Sequence, residues 1–569
     1  MRRGSQEASV ALLWHTARHL RARQLLAQLW RRSGARLGDP QRLARRERPR
    51  YPGCAWHLAH RPLAPGRQRN DAQRLLGGRF EFINEPVDAG WPPDWRCDDQ
   101  SLLWRYNLHY FEWLWALDFD DARHAVDSWI AHHPPGRRAV GWAPYPLSLR
   151  LQNWLALFFG RWRERTERER PWAERLWSSV WVQAEWLARN LEYHLMGNHL
   201  LENAVALTWA GACFAGDDAG RWFRTGLRLL RRELDEQILP DGMHYERSPM
   251  YHLRAAYALL LLSCVERREL APLLCPVLER MSRATGMLMH PDAGIALLND
   301  SAFGIANEPT ELLAAAAERQ AGCAALPHGA WSLPAGGYYG YRDGGTYLIC
   351  DAAPIGPDHM TGHAHGDLLS FELSAGGRRM LVDSGVSSYA AGEPRSFSRS
   401  TRAHNTVEIE GQDQCEFWGV FRVGRRGRPF DVDWCGDDDG FALGASHDGY
   451  RRLPGAPVHR RLVSYDRRRR VLEVIDRVEA SRPVRAVARL HLHPACELGQ
   501  RQDDSAEIVR DDQLLRLVYD GSPGAIEREP SWYMPEFGRR IPRICLARTA
   551  HGSSIDLRLR IELAGRSGG

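Results

Sequence analysis

The chain contains no lysine: all 76 of its basic residues are arginine. Without lysine no Schiff base can form on the chain and no Walker-type phosphate loop can be completed, so both chemistries are excluded. Long apolar runs are missing too. The first, Val10 to Trp14, is stopped by His15 and Arg18, which is too short for the apolar core of a secretory signal. No run approaches the roughly 18 apolar residues of a membrane span, so no transmembrane segment is expected. Cysteines are not paired as C-x-x-C. Eleven are scattered singly, and an odd number cannot all be bridged internally. Most read as buried thiols, and they leave the compartment open.

What is present is an ordinary soluble composition, 44% apolar and 26% charged, in 569 residues, a length that asks for two or three domains. The formal charge of +6 is unevenly placed. Residues 1–50 hold thirteen arginines against Glu7, Asp39 and Glu47, a local +10, and leave the rest near −4. The pI of 8.8 is therefore no argument for a polyanionic ligand, and no nucleic-acid partner is expected.

Between about residues 100 and 320 apolar residues recur at three and four, as in Leu151, Trp154, Leu155, Phe158 and Trp177, Trp181, Val182, Leu187, the pattern of successive amphipathic helices. Nineteen of the 22 tryptophans lie at or before Trp331, mostly in such stripes, where core packing is the default role. From about Gly336 short alternating runs take over, among them Gly345 to Cys350, Leu368 to Leu373, Val407 to Ile409, Val471 to Val478, Leu515 to Val518 and Ile555 to Ile561. The expected organisation is a basic helical extension over 1–74, a helical domain over 75–325 and an antiparallel β domain over 336–565, with the Ala-Gly-Pro-rich stretch 321–337 as linker.

Three constellations carry chemistry. In Gly197-Asn198-His199-Leu200-Leu201-Glu202-Asn203, Asn198 and His199 each lie within four residues of Glu202 and can share a helical face, although Asn198 could equally be a simple helix cap. In Asp241 to His252, Ser248-Pro249 is a helix start that puts Tyr251 in the first turn. One returning helix, about 219–238, separates the two, so both helix starts are expected at one rim, where N-termini favour negative charge. The third is Gly362-His363-Ala364-His365-Gly366-Asp367, expected to lead directly into a strand, with His363 and His365 on one face. With Asp383 and His404 downstream, it offers imidazoles and a carboxylate for a zinc-like ion.

Together these blocks resemble the heparinase II/III-like polysaccharide lyases, over roughly residues 75–565. The resemblance rests on Asn-His-Leu-Leu-Glu-Asn, the Asp-Gly-Met-His-Tyr-Glu to Pro-Met-Tyr-His block, His-Ala-His-Gly-Asp and Arg-Ala-His-Asn-Thr. It implies an N-terminal α/α toroid, an incomplete helical barrel, followed by a C-terminal antiparallel β-sandwich. It further implies that His365, Asp383 and His404 hold a structural divalent metal, zinc or alternatively calcium, and that no organic cofactor is needed. Asn198 and His199 would neutralise a uronate carboxylate. Tyr251 would be the acid and alternatively also the base, with Tyr245 its competitor; His363 would assist proton abstraction, Glu202 would orient His199, and Tyr389 is a candidate second tyrosine. The implied substrate is an acidic polysaccharide, cut by β-elimination. The family is usually exported, which implies the periplasm, while the lack of an evident signal keeps the cytoplasm open.

Three rivals remain at this level. A glycoside hydrolase on a similar toroid would need a facing carboxylate pair such as Glu202 and Glu246. A non-catalytic polysaccharide-binding protein of exopolysaccharide synthesis or export would have no need of Asn198, Tyr251 and His363 together. A metal hydrolase centred on His363 and His365 would leave the helical motifs unexplained.

Overall fold

The computed structural model describes residues 10–565 apart from 33–39, 47–48, 56–57, 67–69, 137–138, 320–325 and 327. From Leu102–Tyr110 to Pro309–Glu318 the chain is built of helices joined by short connections. Neighbouring helices are antiparallel and tightly set. Gly211 lies against Phe223 and Gly226 against Thr208, and a Cβ on either glycine would come within 2.5 Å of the facing backbone. Glycine at these points lets the helices Gly197–Cys213 and Asp217–Gln237 close to backbone contact. The tryptophan stripes are core: Trp104, Trp113, Trp129, Trp154, Trp172, Trp177, Trp209 and Trp222 are fully buried in one cluster. The assembly is an open α/α toroid.

The β part is a sandwich. The strands Gly329–Leu333, Tyr338–Asp343, Thr346–Asp351, Phe371–Ala375 and Arg378–Leu381 form a five-stranded antiparallel sheet in chain order. A ten-stranded sheet covers it, centred on the long pair Val471–His491 and Ile541–Gly565. Alternation assigns the two faces of the smaller sheet. Tyr339, Tyr341, Leu348 and Cys350 pack on the larger sheet, while Tyr338, Tyr347 and Ile349 pack on Met243, Leu288 and Leu298 of the helical part. Both faces are therefore dry, and the two halves share a core.

Two sequence expectations shift here. Residues 329–333 are already a strand with Trp331 and Leu333 inward, so the second half of the expected linker belongs to the sandwich; residues 321–325 and 327 lie outside the described residues. The strand expected from Leu368 begins only at Phe371, because Leu369 adopts φ 63° and breaks the extended run. No helix among the described residues is long and apolar enough to cross a membrane.

Candidate active site

The helices Gly197–Cys213 and Pro249–Leu262 begin at the same rim, where the segment 359–363 and Tyr389 reach over from the sandwich. Ser248 caps the second helix, its Oγ accepting from the Tyr251 N–H at 3.2 Å. The first helix starts without a side-chain cap: Asn198 lies inside its first turn and its N–H donates to Glu246 Oε1 at 2.9 Å. Asn198 is therefore not the cap. The turn before it is strained, with Met196 at φ 63° and Gly197 at φ 58° in succession. A Cβ on Gly197 would lie 2.6 Å from Met360 Cε and 2.7 Å from Glu246 Oε1. Gln237 steadies the turn, its Nε2 donating to Gly197 O at 2.9 Å while its Oε1 pairs with His244 Nε2 at 3.0 Å.

Tyr251 and His363 lie ring against ring, tilted by 32° with centroids 3.9 Å apart, and the Tyr251 hydroxyl lies 3.1 Å from that of Tyr389. Burial, with the nearby Tyr145 and Asp300, pushes the Tyr251 phenol well above its ordinary value; burial does the same for Tyr389. Both keep their protons at neutral pH. His199 stands beside them, its ring 4.2 Å from Tyr145 and its Nδ1 3.2 Å from Glu192 Oε1. Burial opposes charge on His199, but Glu192 outweighs it and raises the pKa, which favours a cationic ring.

The hub is Asp300. One carboxylate oxygen takes His363 Nδ1 at 2.8 Å and the other takes His365 Nε2 at 2.8 Å, while the Arg395 guanidinium bonds to both oxygens. Burial works against this charge, yet Arg395 and the two histidines hold the carboxyl well below the usual range. An ionised Asp300 accepts N–H from both rings, so in a neutral ring the lone pair falls on His363 Nε2 or His365 Nδ1. His363 Nε2 faces Glu246 Oε2 at 3.4 Å, and burial raises the Glu246 carboxyl.

Among the described residues, His365 Nδ1 and His404 Nε2 are both buried without a hydrogen-bond partner, and one ligand atom from each of His365, Asp383 and His404 lies within 4.8 Å of the others. Bare imidazole nitrogens next to a carboxylate are what a divalent cation requires, and Asp300 behind His365 is the expected outer partner. These residues fit a metal. Arg543 ties the loop down by donating to Val382 O at 3.1 Å and Asp383 O at 3.0 Å.

The family model "Heparinase II/III N-terminus" matches residues 121–318, and "Heparinase II/III-like, C-terminal" matches 325–561, so the two together cover most of the chain in order. The chain belongs to the heparinase II/III-like family. A heparin-sulfate lyase of Pedobacter heparinus is 26% identical over 376 residues, 59% of this chain and 56% of that protein. FtsZ-localized protein C of Caulobacter vibrioides is 27% identical over 491 residues, 79% of each. The chain spans about half the length of the heparin-sulfate lyases it matches. A crystal structure of heparinase III superposes with TM-score 0.66 at 18% identity, covering 84% of this chain and 80% of that one, which shows the shared fold.

Several residues sit differently in this heparinase II/III-like chain than its sequence suggests. His363 and His365 do not share a strand face. They lie in a loop and grip Asp300 from two sides, because Asn299 Oδ1 accepts the His365 N–H and Asp300 donates its own N–H to His363 O. Glu202 does not orient His199; its carboxylate accepts from Gln152 Nε2 at 2.7 Å, and Glu192 holds the histidine instead. Glu246 in turn accepts the Asn198 N–H at 2.9 Å. Tyr245 packs against His244 and His359, and its buried hydroxyl has no hydrogen-bond partner among the described residues. Sequence reasoning missed Asp300, Glu192, Tyr145 and Arg395. The polar triplet Asn299-Asp300-Ser301 directly after the apolar Ile295 to Leu298 was a usable signal of a buried polar hub.

Proposed function

We propose that the protein is a polysaccharide lyase, cleaving a uronic-acid-containing glycosaminoglycan-like polymer by β-elimination and leaving a 4,5-unsaturated uronate end. The observation that carries this is the convergence of a protonated Tyr251 and a histidine whose free nitrogen is set by Asp300, on a rim that also bears Asn198 and His199. The names of the heparin-sulfate lyase relatives support the substrate class.

The C5 proton of a uronate is too weakly acidic for a side-chain base while the adjacent carboxylate keeps its full charge. Asn198 and the cationic His199 are suited to neutralise it, and stabilising that developing charge is the largest single effect. His363 Nε2 then removes the C5 proton, the C5–H electrons form the C4=C5 bond, the C4–O4 bond breaks, and Tyr251 gives its proton to O4. Each proton transfer contributes about 10²–10⁴-fold. A metal held by His365, Asp383 and His404, which we take to be zinc, would fix the loop that carries His363; no step passes through it.

The test is incubation with a panel of uronate polysaccharides while following the ultraviolet absorbance of the new double bond. Cleavage that yields only saturated reducing ends would replace the lyase by a hydrolase, and no cleavage of any member would favour a binding protein.

A further inference from the structure

The first two helices, α1 (Val10–Ala17) and α2 (Ala22–Arg32), are amphipathic in the inverted sense. Their polar side chains face the protein. Thr16 Oγ1 donates to Val423 O at 3.2 Å and accepts from Trp418 Nε1 at 2.9 Å; Arg425 Nε donates to His15 Nε2 at 3.2 Å. Gln24, 2% exposed, donates to His359 O at 3.1 Å, and Arg21 and Arg23 share Glu236. The apolar side chains point the other way. Val10, Leu13 and Trp14 on α1 and Leu25, Leu26 and Leu29 on α2 are exposed, Trp14 by 64% and Leu26 by 66%, and α1 has no buried residue. Apart from Leu12, which packs against Gly424, the pair docks through its polar face and leaves a broad apolar one in water, so that face is built for another medium.

Charge identifies the medium. Residues 10–32 contain five arginines and no acidic residue. His19 stands among Arg18, Arg426 and Arg428, and burial together with these arginines lowers its pKa against the opposing pull of Asp358. An apolar strip bearing leucines and a tryptophan, flanked by the exposed Arg18, Arg21 and Arg31, matches an anionic bilayer surface, where rings and leucines enter the headgroup boundary and guanidinium groups meet lipid phosphates. The sequence on either side of the pair is poor in apolar side chains. Residues 1–9 and 33–39 read MRRGSQEAS and SGARLGD, with Met1 and Leu37 their only large apolar side chains.

We infer that α1 and α2 form an interfacial membrane anchor that seats the protein on anionic lipid. The seat adjoins the candidate active site, since α1 rests on the hairpin Phe417–Trp418 and Arg422–Val423, whose Phe421 touches His363 and Tyr389, and α2 rests on His359 and His194. The anchor thus sets the mouth of the site beside the lipid surface. The inference stands on packing and charge alone and is independent of the lyase reading.

The experiment is flotation of the full chain with phosphatidylcholine vesicles, with and without phosphatidylglycerol. Binding is expected only with the anionic lipid, weakened by high salt, and reduced about tenfold or more by Leu26→Glu with Leu29→Glu, at unchanged Tm. If the glutamates lower Tm, Leu13→Ser with Leu26→Ser takes their place. Absence of anionic-vesicle binding by folded wild-type chain, or equal binding to neutral vesicles, overturns the anchor. A concentration-dependent dimer in sedimentation velocity that the double variant abolishes, without vesicle binding, would give the face to a second copy instead.

Discussion

Tyr251 and His363 meet ring to ring, centroids 3.9 Å apart, although one comes from a toroid helix and the other from a loop of the sandwich. An acid and a base on separate halves can work on one sugar only if the shared core holds the halves in register. Tyr251→Phe keeps this ring contact and removes only the hydroxyl. Turnover on a cleaved polymer should fall by about 10²-fold or more with Tm nearly unchanged, while Tyr245→Phe should cost far less. An active Tyr251→Phe beside an inactive Tyr245→Phe would move the acid role to Tyr245.

Asn198→Ala should impair turnover far more than folding. Its backbone N–H, not its side chain, makes the structural bond to Glu246, and that bond survives the substitution. Loss of a carboxylate-neutralising donor costs about 10²–10³ in rate. Near-normal turnover by a variant that melts like wild type would reduce Asn198 to a helix residue.

Asp300→Asn should be destabilising by about 3–5 kcal/mol in urea titration, because it leaves the buried Arg395 guanidinium without its charge partner. The variant should also retain less metal, since His365 loses the carboxylate behind it. A stability within about 1 kcal/mol of wild type would refute the hub.

Metal analysis should find about one equivalent of zinc, and chelation or His404→Ala should lower Tm, because binding to the native state contributes directly to folding free energy. A trace of metal in active, fully stable protein would remove the claim.

Stability should fall on mild acidification for a definable reason. Burial lowers His252 to about 4, its Nε2 donating to Met281 O while its Nδ1 accepts the His244 N–H. The folded pKa is below the unfolded value of about 6.5, so the contribution is complete above pH 6.5 and is lost as pH falls from there towards 4. The shift corresponds to about 3 kcal/mol. Urea midpoints between pH 7.5 and 4.5 should drop less steeply in His252→Gln than in wild type, and parallel slopes would count against it.

Short-range order was written in the sequence. Spacing of three and four gave the toroid helices and alternation the sheets, because each reflects which side of one element is dry. Ser248-Pro249 placed Tyr251 in a first turn, as local capping does. The grouping of Asn198, Tyr251, His363 and the set His365, Asp383 and His404 was accessible through the family resemblance. Partner choice was not. Arg395 meets Asp300 across 95 residues and Tyr251 meets Tyr389 across 138, and no periodicity encodes which of two nearby glutamates, Glu192 or Glu202, will face His199. Nor does the pattern of α1 and α2 tell which face turns inward; that was decided only when Thr16 and Gln24 found carbonyls on the folded body and left the leucines outside. Periodicity is a property of one element, whereas a hydrogen-bond partner is a property of how elements close on each other, and only the tertiary structure contains the latter.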